Sequence, residues 1–305
     1  MTLPAGRTTS NGPDFLCIGA QKAGTGWLYE QLRNHPDFWM PPMKELHYFD
    51  RLTTSSVSTR SLPFARKEQD RIKIARERAA DDRDRNFLDR FERLRQQTSA
   101  DFDEYARLFE SKGNLIAGDI TPGYSILEDS VIRKIGDRFP SSKIIFIARD
   151  PVERAWSQIS MYVRRGLIEV FDPDDVDRIT EHLQRPEIAM RSYPSQIVQR
   201  WKQHTNPDRF RVFFFDDLKE KPVSLRASII TSLGGDPQKS SGELPADHNA
   251  KAEKQKLGLT HAARMHLAQF FRAELHACVN ELGGPAADWP KRCSPAATAL
   301  SAWIT

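Results

Sequence analysis

Phe15 to Leu32 reads FLCIGAQKAGTGWLYEQL: a short apolar run, a loop of small side chains carrying one lysine, then a helical stretch. FLCIGA has the length and composition of a buried strand. Trp27, Leu28, Gln31 and Leu32 recur at helical spacing, and His35-Pro36 closes the segment. Small residues between a strand and a helix let backbone N–H groups approach phosphate oxygens, with the helix's positive end aimed at them. Lys22 adds a mobile cation and Thr25 a hydroxyl donor. The loop is not G-x-x-x-x-G-K-[ST], because its lysine precedes the second glycine instead of following it at the helix start. Taken alone, such a loop fits a structural turn as well as a nucleotide site.

Working outward, strands and helices alternate. NLIAGD (Asn114 to Asp119) reads as a strand followed by the turn-like TPGYS, and Phe38-Trp39-Met40 as a further strand stopped by Pro41-Pro42. Val131, Ile132, Ile135 and Phe139 line an amphipathic helix from Asp129 to Phe139. KIIFIA (Lys143 to Ala148) is the clearest buried strand. Behind it, Asp150 as N-cap, Pro151 at the first helical position and Glu153 at the third predict a helix running to about Arg165, ended by Gly166. Tyr193 to Gln203 reads as a helix and Arg211 to Phe215 as a strand. Phe270, Phe271, Leu275, Val279 and Leu282 predict a late helix stopped by Gly283-Gly284. The expected class is α/β: three layers, a mostly parallel central sheet with helices on both faces.

One stretch differs in character. RKEQDRIKIARERAADDRDRNFLDRFERLRQQ is highly charged, with sparse apolar positions at Ile72, Ile74, Phe87, Leu88, Phe91 and Leu94. A charged helical insertion at about 52–110 within one domain spanning 1–305 is expected, forming a lid, a subunit contact or simply a solvated face.

The bulk composition bounds the function. The 305 residues are 39% hydrophobic and 28% charged, enough to build a sizeable core. Lys and Arg total 45 against 41 Asp and Glu, a net +4 that suits anionic ligands and by itself gives no case for nucleic acid. No run approaches the roughly 20 apolar residues of a membrane span. MTLPAGRTTSNGPDF lacks a basic-then-apolar leader, so a cytoplasmic location is expected. Cys17, Cys278 and Cys293 match no metal or disulfide spacing, and Cys17 reads as a buried free thiol.

Ligands of such folds bind beyond the carboxyl ends of the strands. Arg149 ends KIIFIA at the same sheet edge as the Lys22 loop, and Ser157 follows on the next helix. The bland alternative pairs Arg149 with Asp150 or Glu153 and leaves Ser157 merely packed. Against it stands a resemblance. CIGAQKAGTGWLYEQL resembles the 5′-phosphosulfate loop of PAPS-dependent sulfotransferases, and KIIFIARDPVERAWSQISMY resembles their 3′-phosphate segment, in the family's order. YPSQIVQRWKQH and RFRVFFFDDL resemble its later helix and strand, so the similarity runs from about Phe15 to Leu218 around the insertion.

The resemblance implies a P-loop-NTPase-like sulfotransferase fold. It also implies 3′-phosphoadenosine 5′-phosphosulfate (PAPS) as donor, PAP as product and no required metal. Gln21, Lys22, Ala23, Gly24, Thr25, Gly26 and Trp27 would hold the 5′-phosphosulfate, and Arg149 and Ser157 the 3′-phosphate. Lys251, in HNAKAEK, stands where the family places a loop over the 3′-phosphate, without the usual glycine- and arginine-containing form. KELHYFD (Lys44 to Asp50) resembles the glycan-modifying branch, especially heparan sulfate 3-O-sulfotransferases. Carried over, Glu45 is the catalytic base, with His47 as its support or as the alternative base, and Asp50 at the acceptor. GDITPGY makes Asp119 and Tyr124 acceptor-site candidates, with structural roles equally open. Ile120 occupies a position where glycan enzymes often carry lysine, which argues against a uronic-acid-bearing acceptor. A saccharide, a glycolipid or a hydroxylated small molecule remain acceptor classes, with no nucleic-acid partner and no membrane span expected.

Two other readings use the same residues. An ATP-dependent kinase or NTPase shares the strand–loop–helix chemistry, but the displaced lysine and missing Mg²⁺-binding partner count against it. A non-catalytic PAP- or glycan-binding module would keep the fold without the chemistry, and the intact Lys22 and Glu45 count against that.

Overall fold

The computed structural model describes residues 11–51, 62–97, 100–239, 244–248 and 257–293. Lys251 lies outside the described residues. Four strands, β1 (Phe15–Gly19), β2 (Gly118–Ile120), β3 (Lys143–Ala148) and β4 (Phe210–Phe214), form a sheet in the order β2-β1-β3-β4. Every pair is parallel, with Cys17 level with Ile120 and Ile145, and Ala148 level with Phe214. Phe15, Leu16, Cys17 and Ile18 are wholly buried, which is why the run lacks polar alternation: both faces of the sheet are covered.

The helices around the sheet begin with α1 (Thr25–Arg33), α2 (Leu62–Glu77), α3 (Asp82–Gln96), α4 (Phe102–Arg107), α5 (Asp129–Arg138) and α6 (Pro151–Arg164). Asp150 caps α6 as expected, accepting the Val152 N–H at 2.9 Å, with Pro151 at its first position. Glu153 does not reach back to close a capping box, because Arg149 and Lys219 hold its carboxylate. No described helix is long and apolar enough to cross a membrane. Cys17 and Cys278 are buried free thiols, and burial pushes Cys17 up to about 12.

Four expectations are corrected. Asn114 to Asp119 is not one strand: β2 is shorter and shifted to Gly118–Ile120. Phe38 forms only an isolated parallel bridge to Ile116 rather than a strand with Trp39 and Met40. Phe215 belongs to the next helix, Phe215–Glu220, instead of closing β4. In the C-terminal region, one helix ends at Phe270 and Arg272–Leu282 follows as a second.

The charged insertion packs inward along one stripe. Phe87, Leu88 and Phe91 of α3 are wholly buried and join the core cluster that contains β1. Each such side chain contributes about 1.5–3 kcal/mol of burial. Sparse apolar residues suffice because spacings of three and four place them on one helix face. Trp39 adds a hydrogen bond to Asp84 at 3.1 Å, tying α3 to the segment that leads into residues 44–50.

Candidate active site

The strand order creates the site. β1 lies between β2 and β3, so its connection leaves toward one side while β3 occupies the other. Where crossovers diverge, the carboxyl ends of two neighbouring strands open a crevice. The loops after β1 and β3 meet there. Ala20 N–H donates to Ile147 O at 2.9 Å, and the Arg149 guanidinium donates to the Lys22 carbonyl at 2.6 Å. Gly24 turns the chain into α1 at φ +85°, and a Cβ on it would stand 2.6 Å from Leu218 Cδ2. Glycine alone meets both demands.

Gln21, Lys22 and Ala23 form the turn itself, while Thr25, Gly26 and Trp27 open α1. Ala23 and Thr25 are buried, Lys22 is half-buried, and the Trp27 indole donates to Ala246 O at 2.6 Å. Arg149 pairs with Glu153 at 3.2 Å and lies 4.3 Å from the centroid of the Phe215 ring. Lys219 reaches the same Glu153 oxygen at 2.7 Å. Burial pushes Glu153 up, but Lys219 and Arg149 outweigh it and hold the carboxyl at about 2. Thus the bland pairing of Arg149 is present, and it coexists with the contact to the Lys22 loop. Arg149 Nε is buried and has no hydrogen-bond partner. Ser157 lies one turn beyond Glu153 on α6, so it shares the face on which Arg149 is held.

The second half of the site is the irregular segment 44–50. Lys44 Nζ lies 2.6 Å from Glu45 Oε1, His47 Nε2 lies 3.3 Å from Glu45 Oε2, and His47 Nδ1 lies 2.6 Å from Asp50 Oδ2. Burial would raise the Glu45 carboxyl, yet Lys44 and His47 hold it well below the usual carboxylate range. For His47, burial favours the neutral ring, but Asp50 and Glu45 overcome it and raise the imidazole to about 10. Near neutral pH, a protonated imidazole therefore stands between two carboxylates. Gly123 lies against this cluster, where a Cβ would come within 2.7 Å of Asp50 Oδ2.

Asp119 and Tyr124 sit beneath the segment, 1% and 0% exposed. Tyr124 and Tyr105 donate their hydroxyls to Asp119 Oδ2 at 2.7 and 3.0 Å, and Thr121 donates to Oδ1 at 2.6 Å. The Tyr124 oxygen in turn accepts the Tyr48 N–H at 3.2 Å. Both residues support the backbone of the segment from inside. The structure presents neither at the surface.

Lys22, Glu45 and His47 share one more property. They are the non-glycine residues at positive φ among the described residues, at 73°, 65° and 52°. Such backbone costs about 1–3 kcal/mol per residue and gathers at functional sites.

The sequence model of the Sulfotransferase family matches residues 13–237, the span that contains both halves of the site. The chain belongs to the sulfotransferase family. A sulfotransferase from Alicyclobacillus acidocaldarius matches its structure at TM-score 0.65 and 20% identity, over 91% of this chain and 98% of that one. This likeness is one of fold. The sulfotransferase domain of the Synechococcus PCC 7002 olefin synthase matches at TM-score 0.49 and 14% identity, over 89% and 98%. The sulfotransferase domain of the curacin biosynthetic pathway matches at 0.47 and 16%, over 86% and 98%. No curated protein sequence matches the chain.

The candidate site also contains residues that sequence reasoning missed. Arg71 of α2 donates to the carbonyls of Lys44 and Glu45, the latter at 2.9 Å, so the insertion reaches the site. Nothing distinguishes Arg71 from the many charged residues around it in sequence. Arg191 donates to Glu187 O at 2.8 Å. Burial lowers its pKa, and Tyr162, Asp50, Glu187 and Glu45 offset part of that. Its only sequence signal is its place just ahead of the Tyr193 helix.

Proposed function

We propose that this sulfotransferase moves a sulfuryl group from PAPS to a hydroxyl or amine by in-line displacement, with Glu45 as the base. The observation that carries the reading is the junction of Arg149 with the Lys22 carbonyl, which joins two sequence-distant motifs in one crevice. An anion lying there would meet the loop amides, Lys22 and the N-terminal end of α1. The partnerless Arg149 Nε and the adjacent Ser157 face suit a second phosphate, the 3′ group that separates PAPS from ATP.

When bound, PAPS supplies an electrophilic sulfur and a phosphate leaving group. Glu45 takes the acceptor proton as the new bond to sulfur forms and the sulfur–phosphate oxygen bond breaks. Lys22 and the loop N–H groups stabilise the negative charge left on the nucleotide phosphate. The protonated state of His47 favours Glu45 over His47 in this role, since an imidazolium has no lone pair to accept a proton. His47 and Asp50 instead orient the carboxylate. Asp119 and Tyr124 act as positioning residues through Tyr48. The acceptor is a saccharide, a glycolipid or a hydroxylated small molecule.

A transfer assay with isotopically labelled PAPS across an acceptor panel, read by mass spectrometry, tests the reaction. Labelled sulfated product supports it, and PAPS binding without transfer to any acceptor supports a binding module instead. A thermal-shift comparison separates the kinase reading: greater stabilisation by ATP than by PAP contradicts the donor assignment.

A further inference from the structure

Glu45 as observed is a poor base. Each of its oxygens faces a nitrogen, Lys44 Nζ at 2.6 Å and His47 Nε2 at 3.3 Å. Nearby cations favour a carboxylate's charged form and so weaken its pull on a proton. Arg71 and Arg191 add positive charge from α2 and from the stretch before the Tyr193 helix, while Asp50 acts from behind His47. One of the two close cations must withdraw for Glu45 to work.

The two are not equally held. His47 is fixed at its far nitrogen by Asp50 at 2.6 Å. Lys44 is anchored at its carbonyl by Arg71, while its side chain ends on Glu45. Its ammonium terminates a flexible four-carbon stem. The turn 122–126 joins this segment to β1: a Cβ on Gly123 would come within 2.7 Å of Asp50 Oδ2 and one on Gly19 within 3.3 Å of Ser125 Cβ, so the segment that carries Lys44 stands beside the strand that runs into the Lys22 loop. A more strongly anionic group at that loop would compete with Glu45 for it.

We propose that Lys44 clamps Glu45 in the empty enzyme and transfers to the phosphosulfate when the donor binds, releasing the base only beside a loaded donor. This rests on the donor reading above. The arrangement keeps Glu45 from acting before donor and acceptor are together, and gives the sulfuryl oxygens a second ammonium besides Lys22.

The test follows Glu45 directly, by carbon NMR of protein labelled at the glutamate side-chain carboxyl, with the resonance assigned by its loss in E45Q. In the empty enzyme the signal should titrate below the usual carboxylate range. PAPS without acceptor should raise the midpoint by about one pH unit or more. K44M should show the raised midpoint without donor, respond no further to PAPS, and bind PAPS about tenfold more weakly. K44R, which keeps the cation, should restore the low midpoint. A Glu45 midpoint unmoved while a thermal shift shows PAPS bound overturns the transfer, and an unmoved midpoint in K44M overturns the clamp. Absence of any stabilisation by PAPS sinks the donor assignment and the transfer with it, leaving K44M to decide the clamp alone.

Discussion

The two halves of the site are built by different means. The Lys22 loop is gripped mainly through its backbone: Ala20 bonds to the end of β3, Ala23 N–H returns to Ala20 O at 3.2 Å, the Arg149 guanidinium holds the Lys22 carbonyl, and α1 begins at once. Segment 44–50 is held largely by side chains from elsewhere. Arg71 comes from α2, and Tyr124 lies 76 residues along the chain from its partner Tyr48. A site held by main chain tolerates changes in its side chains, which then act on chemistry alone. A site held by distant side chains couples chemistry to stability.

Substitutions that sharpen this contrast begin with the reacting groups. Glu45→Gln should lower sulfuryl transfer by about 10²–10⁴-fold with PAP affinity retained. Lys22→Ala should lower it by about 10²–10³-fold, with thermal unfolding essentially unchanged. Steady-state kinetics beside PAP calorimetry and melting curves check both. A large loss of stability in Lys22→Ala would break the distinction.

Tyr124→Phe should act the other way. It strips a buried hydroxyl from Asp119 and leaves the Tyr48 N–H without its acceptor, a loss of about 1–3 kcal/mol in urea unfolding. Activity should fall with it because Tyr48 carries the neighbouring His47. PAP binding should hold.

A further effect is pH-dependent. His47 is raised to about 10 in the fold from an ordinary 6.5, so protons bind the folded state more tightly. Its contribution to stability is fully present below about 6.5 and is lost as pH rises through 10. The gap in melting temperature between wild type and His47→Gln should be widest near pH 6 and close above pH 10. A gap that widens with alkali would contradict the imidazolium between two carboxylates.

The same contrast explains what the sequence made legible. β1, the small-residue loop and α1 follow from local pattern, as do β3 and the Asp150-Pro151 helix start, because adjacent residues supply the causes. β2 and the Phe38 bridge were misjudged since Asn114 to Ala117 looks strand-like yet only Gly118–Ile120 finds a continuous partner in β1. Segment 44–50 was visible as a dense motif, but its internal arrangement was not. The lysine–glutamate–histidine–aspartate chain depends on Arg71 and Tyr124, which no spacing connects to it. The burial of Asp119 and Tyr124 was equally hidden, since an aspartate and a tyrosine beside glycine and proline look the same inside or out.

On the proposed donor reading, one crevice takes a nucleotide at both phosphate ends. Calorimetric titration of wild type and Arg149→Ala with PAP and with AMP, which lacks the 3′-phosphate, tests it most directly. Wild type should bind PAP at least about tenfold more tightly than AMP, and Arg149→Ala should erase the preference while AMP affinity persists. Equal affinity of the wild type for both nucleotides, or a PAP preference that survives Arg149→Ala intact, would contradict it.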